Sequence, residues 1–212
     1  MTTTTKKAPD RRVQRTRRLL QEALLSLMVE KGYEAITVQE IIDRADVGRA
    51  TFYAHFADKR TLLTSGIEDL RTALVDAQRQ ALARGDGRTR GLSFSRPMLE
   101  HAAGRLPLWR ALAGRESGAF VLRRIHDMLA EIVRNDVAAL GITRSSPHRE
   151  LVVQHLTGAF MGVMTWWLDD GARLSPEEVD AIYRRLATRG LGALRPVSGR
   201  ATRPDTPSAL GR

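Results

Sequence analysis

"TVQEIIDRADVGRATFYAHFADK", residues 37–59, reads as two short helices around a break. Thr37 precedes Glu40 by three residues, the spacing of a capping box. In that motif the hydroxyl accepts from a backbone N–H and the carboxylate reaches back to the cap. Val38, Ile41, Ile42 and Ala45 then recur on one helical face. "ADVG" interrupts the pattern, and a second short helix follows from Arg49 to Phe56. Phe52 and Phe56 lie four apart and, with Val47 and the four apolar residues of the first helix, can close one small core. The opposite side of the second helix is left presenting Arg49, Ala50, Thr51, Tyr53 and His55.

Helix, short turn, short helix is the geometry of a helix-turn-helix, in which the second helix enters the DNA major groove and the first crosses the backbone. The outward residues suit that use. Arg pairs with guanine, and Thr or Ala meets a thymine methyl. Tyr53, His55 and Lys59 are donors to phosphate oxygens, which set register without reading sequence. Thr37, with the backbone amides opening its helix, offers one more phosphate contact.

Outward from this stretch the chain is helical throughout, and no segment alternates as a strand. Leu19, Leu20, Ala23, Leu24, Leu27 and Met28 give a helix from Arg15 that ends at Lys31 and Gly32, a basic last turn and a left-handed cap. Asp58 caps the next helix, through Leu62, Leu63, Ile67, Leu70 and Leu74 to about Ala83. "RGDGRTRG" (residues 84–91) is a loop. Further helices are expected at about 95–103, 106–113, 117–140, 147–170 and 175–194. Gly141 and Gly171 mark ends, "SSP" marks a start, and Ser175 with Glu178 forms a second capping box. The expectation is an all-α chain of about nine helices. Residues 1–10 are a disordered arm, 11–58 a three-helix helix-turn-helix domain, 59–194 a larger helical domain and 195–212 a disordered tail.

Charge supports a polyanionic partner. Of the net +10, residues 1–18 carry seven Lys/Arg against one Asp, and 195–212 four Arg against one Asp. Residues 19–194 are nearly neutral. Basic arms release counterions from phosphates, although for the C-terminal segment a solubilising tail explains the same charge. There is no cysteine among the 212 residues, so disulfide and thiolate chemistry are excluded. The charged N-terminus has no apolar stretch behind it and does not read as a signal peptide, so a cytoplasmic location is expected.

The stretch "GYEAITVQEIIDRADVGRATFYAHFADKRTLL", and within it Thr51-Phe52-Tyr53, His55-Phe56, Lys59 and Leu62, resembles the DNA-binding domain of TetR/AcrR-family transcriptional regulators. Two departures stand out. The family commonly has Gly where this chain has Asp46, and Asp tolerates left-handed backbone. It often has Ser or Thr at Gly48, and Gly caps a helix only a few tenths of a kcal/mol less well. The resemblance implies a homodimer that binds a palindromic double-stranded DNA operator, and a larger helical domain that dimerises and takes a small-molecule effector. It implies release of DNA on effector binding, most members being repressors. The DNA-facing residues would be Thr37, Gly48, Arg49, Ala50, Thr51, Tyr53, His55 and Lys59.

"LVVQHLTGAFMGVMTWWLDD" (residues 151–170) is the most apolar run. Gln154, His155 and Thr157 interrupt it, which favours a buried helix over a membrane span. His155, Gly158, Gly162 and Trp166 share one side, and small residues there admit a second helix closely. With Val179, Ile182 and Leu186 they would form half of an intersubunit four-helix bundle, where the resemblance puts the dimer interface. Walls for an effector are sought in Phe94, Met98, His101, Trp109, Phe120, Met128, Phe160, Met164 and Trp167, each of which is equally suited to plain core. The five His show no paired ligand spacing, and no catalytic, metal or cofactor motif is present. No membrane partner is expected. Besides a repressor, the classes considered are an activator of the same family, a nonspecific architectural DNA binder, and an enzyme or carrier with a vestigial helix-turn-helix.

Overall fold

The apolar periods are realised as helices in a computed structural model that describes residues 11–83, 92–113, 118–139 and 148–192. Among the described residues there are nine helices and no strand: α1 (Arg11–Lys31), α2 (Val38–Ala45), α3 (Arg49–His55), α4 (Lys59–Ala83), α5 (Ser95–Ala103), α6 (Leu106–Ala113), α7 (Gly118–Ala139), α8 (Arg149–Asp169) and α9 (Pro176–Gly192). The arms expected at 1–10 and 195–212 and the loop expected at 84–91 lie outside the described residues. So does the Ser-Ser-Pro start. Helix α8 begins at Arg149 with His148 in the cap position, and no side chain accepts there. Helix α1 starts at Arg11, four residues before the expected Arg15, because Arg and Gln in its first turns are good helix formers.

The caps behave as the sequence implies. Thr37 and Glu40 make the full capping box of α2, and Ser175 with Glu178 makes that of α9. The Thr61 amide donates to Asp58 Oδ1 at 2.7 Å, which starts α4. Gly32 and Gly171 sit at φ +79° and +82°, the left-handed region that ends a helix cheaply only with glycine.

Helix α1 buries Leu20, Ala23, Leu24, Leu27 and Met28, and it packs on α2, α4 and α6. Helix α7 packs on α4, α6 and α8, and α5 on α8 and α9. Each fully buried Leu or Phe contributes roughly 1.5–3 kcal/mol relative to exposure, so this continuous core carries the stability. Its centre is aromatic. The Phe160 ring meets Phe94 and Tyr183 edge-on, each at 5.1 Å between centroids. The Tyr183 hydroxyl donates to the Leu156 carbonyl at 3.0 Å.

Helix α8 is long and apolar enough to cross a membrane by length and composition alone. In this fold Val152, Val153, Leu156, Phe160, Met164 and Trp167 are all buried in the protein. The opposite side of the same helix, with His155, Gly158, Gly162 and Trp166, is left open.

Candidate nucleic-acid interface and regulatory cavity

The two short helices form as the sequence implies. Asp46 takes left-handed backbone (φ 50°, ψ 51°) and donates its N–H to the carbonyls of Ile42 and Asp43, turning the chain between α2 and α3. Gly48 occupies the cap of α3 in extended backbone, with no side-chain acceptor for the first amides. Phe52 and Phe56 are buried, with their rings 6.1 Å apart, and Ile41, Ile42 and Ala45 close on them from α2. The apolar side of α3 therefore points inward, and Arg49, Ala50 and Tyr53 are exposed, with Thr51 and His55 partly so.

Arg49 is not a loose arm. Its Nη1 donates to Gln39 Oε1 at 3.2 Å, Gln39 Nε2 donates to Asp43 Oδ1 at 2.8 Å, and the guanidinium lies 5.6 Å over the Tyr53 ring. This chain of contacts holds Arg49 on the outer face shared by α2 and α3. The supporting helix is itself pinned to α1. Arg44 forks onto Glu30 with bonds of 2.6 and 2.8 Å, and Lys31 pairs with Glu40. Lys31 first, then the Thr37 amide and hydroxyl, hold the Glu40 carboxyl down at about 2. Thr37 spends its hydroxyl on this cap, accepting from the Glu40 amide and donating to the Glu40 carboxylate.

Lys59 departs from the expected phosphate donor. Its ammonium donates to the carbonyls of Tyr33 at 3.1 Å, Glu34 at 3.0 Å and Ile36 at 2.8 Å, and it sits 4.8 Å over the Tyr33 ring. An ammonium has three protons, and all three are taken by the α1–α2 loop. The side chain is a clamp on the α1–α2 loop beside the helix-turn-helix.

Behind that unit lies a cavity of about 300 Å³, bounded by α1, α4, α6 and α7. Leu24, Leu25 and Met28 line it from α1, Leu62, Gly66 and Ile67 from α4, and Leu108, Trp109, Leu112, Val121 and Ile125 from the far side. His101, Arg105, Gln21 and Asp69 supply its polar edge. Burial first, and then the Arg105 charge, push the His101 ring down to about 4, so it is neutral at neutral pH.

Of the nine sequence candidates for an effector wall, this cavity gathers His101 and Trp109. Phe94, Met98, Phe160, Met164 and Trp167 are core, and the Trp167 indole donates to the Leu174 carbonyl at 2.8 Å. Phe120 stacks on Tyr33. Met128 lines a separate, largely charged hollow with Glu68, Arg71 and Arg134. The missed walls are the α1 and α4 leucines. Their helical spacing is the same whether a face meets a neighbour or an empty space, so no sequence signal separates the two.

The open side of α8 continues onto α9. Trp166, Ile182 and Leu186 are 58%, 44% and 67% exposed, and a Cβ added at Gly158 or Gly162 would meet nothing within 4 Å. Trp166, Ile182 and Leu186, with His155 and Leu174, border an apolar groove between the two helices. Val179, expected on this outer face, is 2% exposed and lines the same groove from its buried side. Among the described residues no group of His, Asp and Glu could hold a metal ion.

The family described as bacterial regulatory proteins, tetR family, matches residues 20–65, which contain α2 and α3. A second family, described as transcriptional regulator C-terminal region, matches residues 96–189. The chain belongs to the TetR family. It is 29% identical over 175 residues to an uncharacterized HTH-type transcriptional regulator, YxbF, of Bacillus subtilis, covering 79% of this chain and 43% of the relative. The chain thus spans less than half the length of that curated relative. Among solved structures, a TetR transcriptional regulator from Streptococcus agalactiae is 26% identical with a TM-score of 0.57, over 84% of this chain and 96% of that one. A regulator from Syntrophomonas wolfei assigned to the TetR family has a TM-score of 0.67 at 20% identity, over 87% and 98% of the two chains. As a TetR-family protein, the chain carries that family's helix-turn-helix segment at α2 and α3.

Proposed function

We propose that this TetR-family regulator is a cytoplasmic homodimeric repressor, released from a palindromic operator when a small molecule enters the cavity between α1, α4, α6 and α7. Residues 11–58 would serve as the DNA-reading unit and 59–194 as the effector-binding and dimerisation unit. The observation that carries the reading is the position of the cavity. Its walls include α1 and α4, which flank the helix-turn-helix, and α6 and α7, which do not belong to it. A ligand bridging those walls would bias the orientation of α3 through differential contacts, the requirement for any allosteric switch.

Dimerisation is supported by the exposed apolar side of α8 and α9. Apolar side chains this exposed, beside two open glycines, suit close helix packing against a second copy. Two copies would present two α3 helices to half-sites about one helical turn apart, or a multiple of it.

Binding-site selection with the purified protein tests the reading. Enrichment of a palindrome, bound by a species of twice the chain mass in light scattering, is the expected result. Selection of no sequence would overturn it in favour of nonspecific binding. A Leu186→Glu variant that stays dimeric would remove α9 from the interface.

A further inference from the structure

The cavity described above has a buried polar group in its wall. Trp109 lines it and is 6% exposed. Its indole Nε1–H is buried and has no acceptor among the described residues. The contrast with Trp167 is informative, because that indole is equally buried but is satisfied by the Leu174 carbonyl. A buried donor without a partner is costly, and native proteins leave few of them.

His101 supplies a second donor. Arg105 Nη1 lies 3.2 Å from His101 Nδ1. A guanidinium only donates, so Nδ1 must be the accepting nitrogen. The neutral ring then carries its proton on Nε2. The remaining polar groups at the cavity edge are Gln21, Asp69 and Arg105. Asp69 is already engaged, since Gln21 Nε2 donates to it at 2.6 Å. The rest of the wall is Leu, Ile, Val and Met with Ala73 and Gly66, and the volume is about 300 Å³, room for roughly ten water-sized groups.

We infer that the cavity takes a compact, uncharged, mostly apolar molecule whose single oxygen acceptor, a carbonyl or ether oxygen, receives the Trp109 Nε1–H and the His101 Nε2–H. This rests on the cavity being the effector site. A carboxylate is disfavoured because its negative charge would be stripped of water among aliphatic side chains, with one cation, Arg105, and one carboxylate, Asp69, at the edge. A wholly apolar ligand would leave the indole unpaired.

Calorimetric titration of the full-length protein with acetophenone, ethylbenzene and benzoate separates these cases. Acetophenone and ethylbenzene are similar in size, and only the former carries an acceptor. The Trp109→Phe variant is expected to bind acetophenone roughly 3- to 10-fold more weakly, with ethylbenzene within about 2-fold of wild type. His101→Leu should repeat that selectivity, which guards against a folding defect in either variant alone. Benzoate should bind at least about 10-fold more weakly than acetophenone. Equal losses for acetophenone and ethylbenzene, or benzoate as the tightest probe, would overturn the donor assignment and leave the cavity as an effector site. A Gly66→Leu variant, which places a side chain on the cavity wall, should abolish binding of all three. Retained binding in that variant, or no binding of any probe to wild type, would overturn both readings together.

Discussion

The rings of Tyr33 and Phe120 stack 5.9 Å apart with an interplanar angle of 18°. One belongs to the loop between α1 and α2, the other to the first turn of α7, so the pair joins the helix-turn-helix region to α7. Arg60 lies 5.8 Å over the Phe120 ring and Lys59 4.8 Å over the Tyr33 ring, so each ring of the stack carries its own cation. Aromatic pairs contribute about 0.5–1.5 kcal/mol beyond their buried area. A double-mutant cycle of Tyr33→Leu and Phe120→Leu, read by urea unfolding, should return a coupling in that range. Additive losses would mean that the rings are neighbours without interaction.

Lys59 gives the second prediction. With three carbonyls as partners, Lys59→Met should cost about 1–2 kcal/mol of unfolding free energy. That is the lower part of the range for hydrogen bonds to a charged group, because the ammonium is partly solvated. The salt dependence of DNA binding should keep its slope. A phosphate-contacting lysine would show the reverse, unchanged stability and a slope reduced by about one.

Arg49 should behave as a base reader. Its contacts with Gln39 and Tyr53 hold it outward, so Arg49→Ala should lose about 1–3 kcal/mol of discrimination at one operator base pair. Competition binding with single-base operator variants measures this. An equal loss on random DNA would reduce Arg49 to a phosphate contact.

Asp136 should leave a signature in acid. Burial pushes its carboxyl up to about 6, against the opposing donation from the Leu92 amide and the charge of Arg184. Leu92 itself is held in left-handed backbone at φ 59°, and its N–H lies 2.8 Å from Asp136 Oδ2. Between the ordinary aspartate range near 3.8 and about 6, the folded protein keeps a proton that the unfolded chain has lost. This group therefore contributes falling stability as pH rises through that window. Asp136→Asn should remove that contribution, seen as a flatter stability profile between pH 4 and 6 in chemical denaturation. An unchanged profile would show that the carboxyl titrates in its normal range.

Much of this was legible without coordinates because it is local. A capping box needs two residues three apart, a left-handed turn needs a tolerant residue such as Asp46, and an amphipathic helix needs only its own period. Those features specify nine helix positions, the inward turn of Phe52 and Phe56, and the outward face of α3. The sequence also marks α8 as unusual, with small residues on one side and large apolar ones on the other.

What the tertiary structure decided depends on neighbours far apart in the chain. Lys59 became a clamp because three loop carbonyls, 23 to 26 residues away, converge on its ammonium. Val179 is only 2% exposed although it lines the groove between α8 and α9, because burial at that seam depends on how the two helices pack. Most strongly, the cavity lies where α1 and α4 fail to close on α6 and α7. A leucine beside a void and a leucine beside a neighbour obey the same helical period, so a sequence that determines the helices leaves undetermined where they do not quite meet.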